Sequence, residues 1–402
     1  MNVLIFPSRA SGEINAPASK SYAHRLLIAA ALSDGESVIK NIGINDDITA
    51  TVSCLENLGA TINFDGNTVT VKGICNKERK KETTLLCNES GSTLRFLIPI
   101  SLMYSDKTKF TGSERLLERP QNVYNELFKE KGCYFEKKDN YLESGGELKS
   151  GVYEMPGDVS SQFITGLLFV LPLLDGDSEI VLTTELQSAP YVDITIDVLK
   201  LFGIEIETKT NGWYIKGNQK YESQNTVCEG DWSNAAFLEA FNLIGGNVDI
   251  KGLNPESCQG DKIYREFYAK FSENTSSLDI SQCPDLGPVL IACAAMKNGA
   301  YITGTKRLKL KESDRGAVMA QELKKFGVDI EVGDDYIRVP FAELKAPVEK
   351  IQCHNDHRIA MSFALLCSVT GGELDGAQCV NKSYPEFFND IKKLGINYKI
   401  TQ

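Results

Sequence analysis

One local pattern returns six times along this chain, and a repeat of that kind restricts the fold more than any single motif. A polar or charged start leads into an apolar helical stretch, which ends at a glycine and runs into a strand. "SKSYAHRLLIAAALSDGESVI" ends its helix at Gly35, "SSQFITGLLFVLPLLDGDSEIVL" at Gly176, and "DWSNAAFLEAFNLIGGNVDI" at Gly246. "PDLGPVLIACAAMKNGAYI" ends at Gly299 and "NDHRIAMSFALLCSVTGGEL" at Gly372, while "ESGSTLRFLIPISLMYSDKTKF" has Asp106 in that place. After each comes a more amphipathic helix, a glycine and a hairpin, as in "LENLGATINFDGNTVTVKG" and "LKLFGIEIETKTNGWYIKG". Asp65-Gly66 and Asn211-Gly212 sit where a hairpin needs positive φ. The fourth copy, around "FYAKFSENTSS", is shortened.

The chain therefore reads as six α/β units, each with two helices and about four short strands. Paired helices alternating with hairpins suit a doubly wound sheet poorly. Leu26–Leu32, Phe163–Leu174, Val289–Met296 and Ile359–Val369 are apolar on nearly all sides. Helices of that kind are buried among other elements. The expected picture is helices inside and sheets outside, grouped as three units plus three.

With 402 residues, 42% of them apolar, the chain has length for two or three domains. No run of 18 apolar residues appears, so no membrane span is expected. The start, "MNVLIFPSRASGEINAP", lacks the signature of a secretory signal, so no export is expected and a cytoplasmic enzyme is read. Eleven scattered cysteines read as reduced thiols. A net charge of −11 argues against nucleic acid as a partner. "ESGSTLR" lacks the P-loop spacing, and His354 and His357 lack further ligands for zinc.

The helix starts carry the chemical signal. Ser21, Ser161, Ser233 and Asp356 read as N-caps, and Ser313 as the cap in "KESDR". Cations are harder to explain there. Lys20, Arg25, Arg95, Arg315 and Arg358 lie at or near helix starts, where the macrodipole disfavours positive charge by roughly 0.3–1 kcal/mol. A bound anion reverses that penalty. Arg119, Ser188, Tyr191, Lys311, Glu312 and Lys382 mark the second helices. If the units are quasi-symmetric, these starts converge on one cleft that suits a substrate with several phosphate or carboxylate groups. Asp285 and Glu312 would then do acid–base work.

"APASKSYAHRLLIAAAL", "ESGSTLRF", "ERP", "SSQF", "PYVDIT", "PDLGP", "KESDR", "NDHRIAM" and "KSYPEFF" occur in one order. Together they resemble the signatures of the enolpyruvyl transferase family, in its branch acting on shikimate 3-phosphate. The resemblance covers essentially the whole chain. It implies a two-domain inside-out α/β barrel built from six βαβαββ-like repeats, three per domain. One domain would be residues 1–15 with 229–402, and the other 16–228. It also implies a reaction in which the 5-hydroxyl of shikimate 3-phosphate attacks C2 of phosphoenolpyruvate, followed by loss of phosphate. A monomer without metal or organic cofactor is expected.

By the same resemblance, Asp285, Glu312 and Lys20 are the catalytic candidates. Lys20, Ser21, Arg25, Ser160, Ser161, Gln162, Ser188, Tyr191, Asp285 and Lys311 would hold shikimate 3-phosphate. Lys20, Gly91, Arg119, Gln162, Arg315, Arg358 and Lys382 would hold phosphoenolpyruvate. This chain departs from the usual pattern at Asn88-Glu89, at Ala189 and at Arg307, and Asp231 is read as a domain-boundary candidate. The sister branch acting on UDP-N-acetylglucosamine fits less well, because no cysteine stands beside Arg119. A non-catalytic anion-binding protein would be free to lose Asp285 and Glu312.

Overall fold

The computed structural model describes residues 1–74, 78–271 and 276–401. They divide into two compact units, Ala18–Glu229 and Met1–Pro17 with Gly230–Gln402. Each unit holds three copies of the repeat.

In the first unit the helices are α1 (Lys20–Leu32), α2 (Asp46–Leu58), α3 (Gly91–Tyr104), α4 (Glu114–Glu118), α5 (Asn122–Glu130), α6 (Ser161–Val170) and α7 (Ala189–Leu201). Every residue of α1 from Tyr22 to Leu32 is buried, and α3 and α6 are nearly as enclosed. Apolar side chains on all faces leave such helices nowhere else to go. Helix α3 packs on α6, and α1 on α7 and α2.

Three four-stranded sheets cover these helices, and all share one order. In the second sheet, Thr83–Leu86 pairs in parallel with Lys107–Thr111, which pairs antiparallel with Leu142–Gly145 and then Tyr134–Lys137. Asn225–Val227, Glu36–Lys40, Thr68–Lys72 and Thr61–Asp65 repeat the arrangement, as do Gly151–Met155, Ser178–Leu182, Gly212–Ile215 and Ile206–Lys209. The expected positive φ is found at Gly66 and Gly212. At Gly212 a Cβ would also collide with the Ile180 carbonyl of the neighbouring strand.

The second unit repeats the plan with α8 (Trp232–Leu243), α9 (Tyr264–Lys270), α10 (Gly287–Met296), α11 (Arg315–Leu323), α12 (His357–Thr370) and α13 (Phe387–Lys393). Helices α8, α10 and α12 form its buried core. Two of its sheets have the same order, and in one of them the N-terminal strand Asn2–Ile5 takes the third place. The fourth copy keeps only the parallel pair Ser11–Asn15 with Asn247–Lys251 among the described residues. Part of "FYAKFSENTSS" lies outside the described residues.

Pro99 sits inside α3 and cannot donate to the Arg95 carbonyl four residues back. The Tyr124 hydroxyl approaches that carbonyl at 2.9 Å and the Phe163 carbonyl of α6 at 3.0 Å. Gly166 leaves the space it needs. One buried hydroxyl proton is thus shared between the orphaned α3 carbonyl and a carbonyl of α6. Tyr124→Phe should lower the free energy of unfolding by about 1–3 kcal/mol, the size of a buried acceptor left unmade. Urea unfolding of the variant and the parent measures this.

Candidate active site

In the second unit the chemistry is built from three pieces of chain. Asp285 lies in the one-turn 3-10 helix Pro284–Leu286 before α10. Lys311, Glu312 and Arg315 lie at the start of α11, and Asp356 and Arg358 at the start of α12. Asp285 faces three cations: Lys311 at 3.0 Å, Arg315 at 3.0 Å and Arg358 at 3.1 Å. Burial pushes its carboxyl up, but Arg358, Lys311 and Arg315 together outweigh burial and hold it well below the usual carboxylate range. Burial lowers the Lys311 ammonium, with Asp285 opposing it.

Arg315 is 1% exposed and meets three carboxylates, Asp356 at 2.9 Å, Glu312 at 2.8 Å and Asp285. Burial disfavours its charge, yet Asp356, Glu312 and Asp285 keep the guanidinium firmly protonated. Arg358 donates to Ser233 Oγ at 2.8 Å and to the Asp285 carbonyl at 3.1 Å, besides the Asp285 carboxylate. Lys382, ending the 3-10 turn Ala377–Lys382, donates to the Asn355 carbonyl.

Asp356 is fully buried, and sequence reasoning treated it only as a cap. It does cap α12, accepting from Arg358 N at 3.0 Å, but the same carboxylate also accepts from Ser313 Oγ at 3.0 Å and from Arg315. The turn that delivers it is unusual. His354 and Asn355 have φ of +48° and +54°, and Asp356 N–H donates to the Cys353 carbonyl at 2.9 Å. Turns of this left-handed kind favour Asn-Gly, and each non-glycine residue there costs on the order of 1 kcal/mol.

The cap register differs from expectation. Ser313 bonds Asp356, and Asp314 caps α11 by accepting from Ala317 N. Ser19, Ser160 and Asp231 cap α1, α6 and α8, so Ser21, Ser161 and Ser233 lie inside the first turns. A cap needs a non-helical backbone as well as a side-chain oxygen. For α1, α6 and α8 a polar residue one or two positions earlier takes the cap, and for α11 it is the next residue, Asp314. Arg307 is buried and donates to the Ser281 carbonyl, and Lys309 is exposed.

In the first unit, Lys20 opens α1 and pairs with Asp47 at 2.8 Å. Arg25 is buried and braces α1 against α7. It donates to Thr195 Oγ1, the Ser21 carbonyl and the Tyr191 carbonyl at 2.8–2.9 Å. Burial lowers its guanidinium to about 10, so it stays charged at neutral pH. Ser188 is buried, with φ of +58°, just before α7.

Gly91 opens α3, and a Cβ there would stand 2.5 Å from Arg119 Nη1. The guanidinium of Arg119 therefore lies against the α3 start, and its buried Nε has no hydrogen-bond partner among the described residues. Arg95 gathers this corner by donating to Gln162 Oε1 at 2.7 Å, the Pro120 carbonyl at 3.0 Å and Gln121 Oε1 at 3.3 Å. Gln162 in turn donates to Ser92 Oγ at 3.0 Å. Cations, amide groups and a helix N-terminus in one place are the chemistry that attracts an anion.

His24 joins Lys20 in fixing α1 to α2. Its Nδ1 lies 2.8 Å from Thr51 Oγ1, followed by Thr93 Oγ1 at 2.6 Å and Ser90 Oγ at 2.7 Å. Burial, then Lys20 and Arg25, push the imidazole well below its ordinary value. Above about pH 6.5 both folded and unfolded forms carry it neutral, so nothing is lost. Below that, the unfolded chain takes up the proton first, and about 1.4 kcal/mol per pH unit drains away until the folded value is reached. His24→Gln should remove this term. Urea unfolding at pH 7.5 and 5.0 should show the gap between parent and variant shrinking or reversing at the lower pH. A gap unaffected by pH contradicts a buried neutral His24.

The fold is that of enolpyruvyl transferases. An EPSP synthase from Acinetobacter baumannii superposes with a TM-score of 0.78 at 22% identity, covering 100% of both chains. The enolpyruvyl transferase NikO from Streptomyces tendae gives 0.79 at 16% identity, covering 100% of this chain and 98% of that one. A family model described as EPSP synthase (3-phosphoshikimate 1-carboxyvinyltransferase) matches residues 6–391. Relatives named 3-phosphoshikimate 1-carboxyvinyltransferase include those of Clostridium beijerinckii, 41% identical over 424 residues, and Clostridium acetobutylicum, 43% identical over 419. Each alignment covers 98% of this chain and 97% of the relative. The chain belongs to the EPSP synthase family.

Proposed function

We propose that this chain transfers the enolpyruvyl group of phosphoenolpyruvate to the 5-hydroxyl of shikimate 3-phosphate and releases phosphate, a step of the shikimate pathway. The observation that carries the residue-level reading is the cluster around Asp285. An ionised carboxylate, a second carboxylate at Glu312 and three cations stand within one network at two helix starts.

Asp285 is the base for the 5-hydroxyl in this reading. Held low by three cations, it begins as a weak base. Anionic substrate groups that engage Arg315, Arg358 and Lys311 share those charges, and a carboxylate relieved of cations gains proton affinity. Substrate binding thus prepares the base. Glu312 moves the proton at C3, and Lys20 serves as the acid, delivered by its pair with Asp47. Lys20, Arg315, Arg358, Lys382, Arg119, Gly91 and Gln162 hold phosphoenolpyruvate. Ser21, Ser160, Ser161, Gln162, Ser188, Tyr191, Arg25, Lys20, Lys311 and Asp285 attend the shikimate phosphate and ring. Arg25 acts there largely by fixing Ser21 and Tyr191. Fixed charges in register with two phosphates and a carboxylate supply orientation and charge compensation.

The two compact units are read as the two domains, and the enzyme as a cytoplasmic monomer. None of the ten described cysteines is in a disulfide, and all but Cys258 are buried, which suits a reducing compartment.

Phosphate release from phosphoenolpyruvate should require shikimate 3-phosphate. Release with UDP-N-acetylglucosamine instead would move the chain to the sister reaction, and release with neither acceptor would remove the enzyme reading. Asp285→Asn and Glu312→Gln should each cut turnover by about 10²–10⁴-fold, the range of a lost proton-transfer group. Substrate binding by calorimetry should persist, because the amide that replaces each carboxylate keeps an oxygen for the cations. Binding lost with the fold intact would reassign both residues as ligands.

A further inference from the structure

Glu322, in the last turn of α11, is fully buried although no role above uses it. Its Oε1 lies 3.0 Å from His354 Nε2, and its Oε2 accepts from Gln352 N at 2.9 Å and Lys325 Nζ at 2.7 Å. Gln352 and His354 lead into the left-handed turn that delivers Asp356. Seven residues earlier in α11, two turns along the same helix, Arg315 is bonded to Asp356 itself. Helix α11 is therefore fastened to segment 352–356 at both ends.

His and Asn enter the left-handed region more readily than most side chains, but as single residues, and two in succession still cost on the order of 1 kcal/mol each. Something outside the turn must hold it. Lys382 does so on one side, through the Asn355 carbonyl, and Glu322 on the other, through His354. If the turn relaxes, Asp356 leaves Ser313, Arg315 and the Arg358 amide together, because one carboxylate makes all three bonds.

We propose that His354 and Glu322 are positioning residues: their pair holds the 353–356 turn so that Asp356 aligns Arg315 and Arg358 for the substrate anion. The inference rests on the reading of those arginines as phosphoenolpyruvate ligands. It predicts an effect on anion affinity more than on chemistry, since neither residue touches the reacting atoms.

The test uses the full chain with His354→Ala and His354→Gln; His354 is partly exposed, so both variants should fold. His354→Ala should raise KM for phosphoenolpyruvate about tenfold, with kcat within about threefold, the scale of one lost charged hydrogen bond. The amides of Asp356 and Arg358 should lose hydrogen-exchange protection at the same time. His354→Gln, whose side-chain amide still donates to Glu322, should restore both to within about twofold of the parent. An unchanged KM in His354→Ala overturns the proposal, including the case where only the melting temperature falls, which would make the pair structural. If the parent releases no phosphate with shikimate 3-phosphate, the functional reading fails by itself. Exchange then decides the brace: protection lost in His354→Ala and kept in His354→Gln supports it, and protection kept in both overturns it.

Discussion

Arg315 sits in the interior of the second unit with its guanidinium shared among Asp285, Glu312 and Asp356. A buried charge is tolerated only when its donors are met, and removing one partner of such a group is strongly destabilising, typically by about 3–5 kcal/mol. The three carboxylates come from three separate turns, so one side chain dictates the spacing of the Asp285 turn, the α11 start and the α12 start. Ion pairs of this kind add little net stability compared with apolar packing. Here they specify an arrangement, and that arrangement is the set of groups assigned to the chemistry.

The same economy explains why cations are found at helix starts. A positive charge there opposes the macrodipole. In the second unit Asp285, Glu312 and Asp356 offset it, and Lys20 in the first unit is offset by Asp47. Arg25 and Arg95 are held by carbonyl, hydroxyl and amide oxygens. The protein's own carboxylates thus supply the negative charge that the helix starts and their cations call for. In the proposed reaction, binding would be an exchange of partners within this scaffold, and the exchange would alter the proton affinity of Asp285.

The repeat made the fold legible. Apolar stretches ending in glycine, each followed by a hairpin, could satisfy their backbone and bury their surface in few ways, and the shortened fourth copy was visible as a break in spacing. The cations were legible as repeated violations of the dipole rule. Their partners were not, because Arg315 meets Asp356 41 residues away and Arg25 meets the Tyr191 carbonyl 166 residues away. Cap register was misread at Ser21, Ser161, Ser233 and Ser313 because neighbouring residues offer equivalent oxygens and only backbone dihedrals choose between them. "CHND" contains no glycine, and His and Asn tolerate the left-handed region without requiring it, so two such residues in a row were not announced.

That hidden turn shows how local strain and long-range charge depend on each other. Left to local preference, 354–355 would unwind; left without Asp356, Arg315 would be a buried cation short of a carboxylate. The electrostatic demand of Arg315 pulls Asp356 inward, and the brace from Glu322 and Lys382 lets the backbone follow. Neither condition suffices alone. Strained backbone persists where the surroundings over-determine it. In this unit the surroundings that do so are Arg315 and Lys382 of the candidate site and Glu322 two turns behind it.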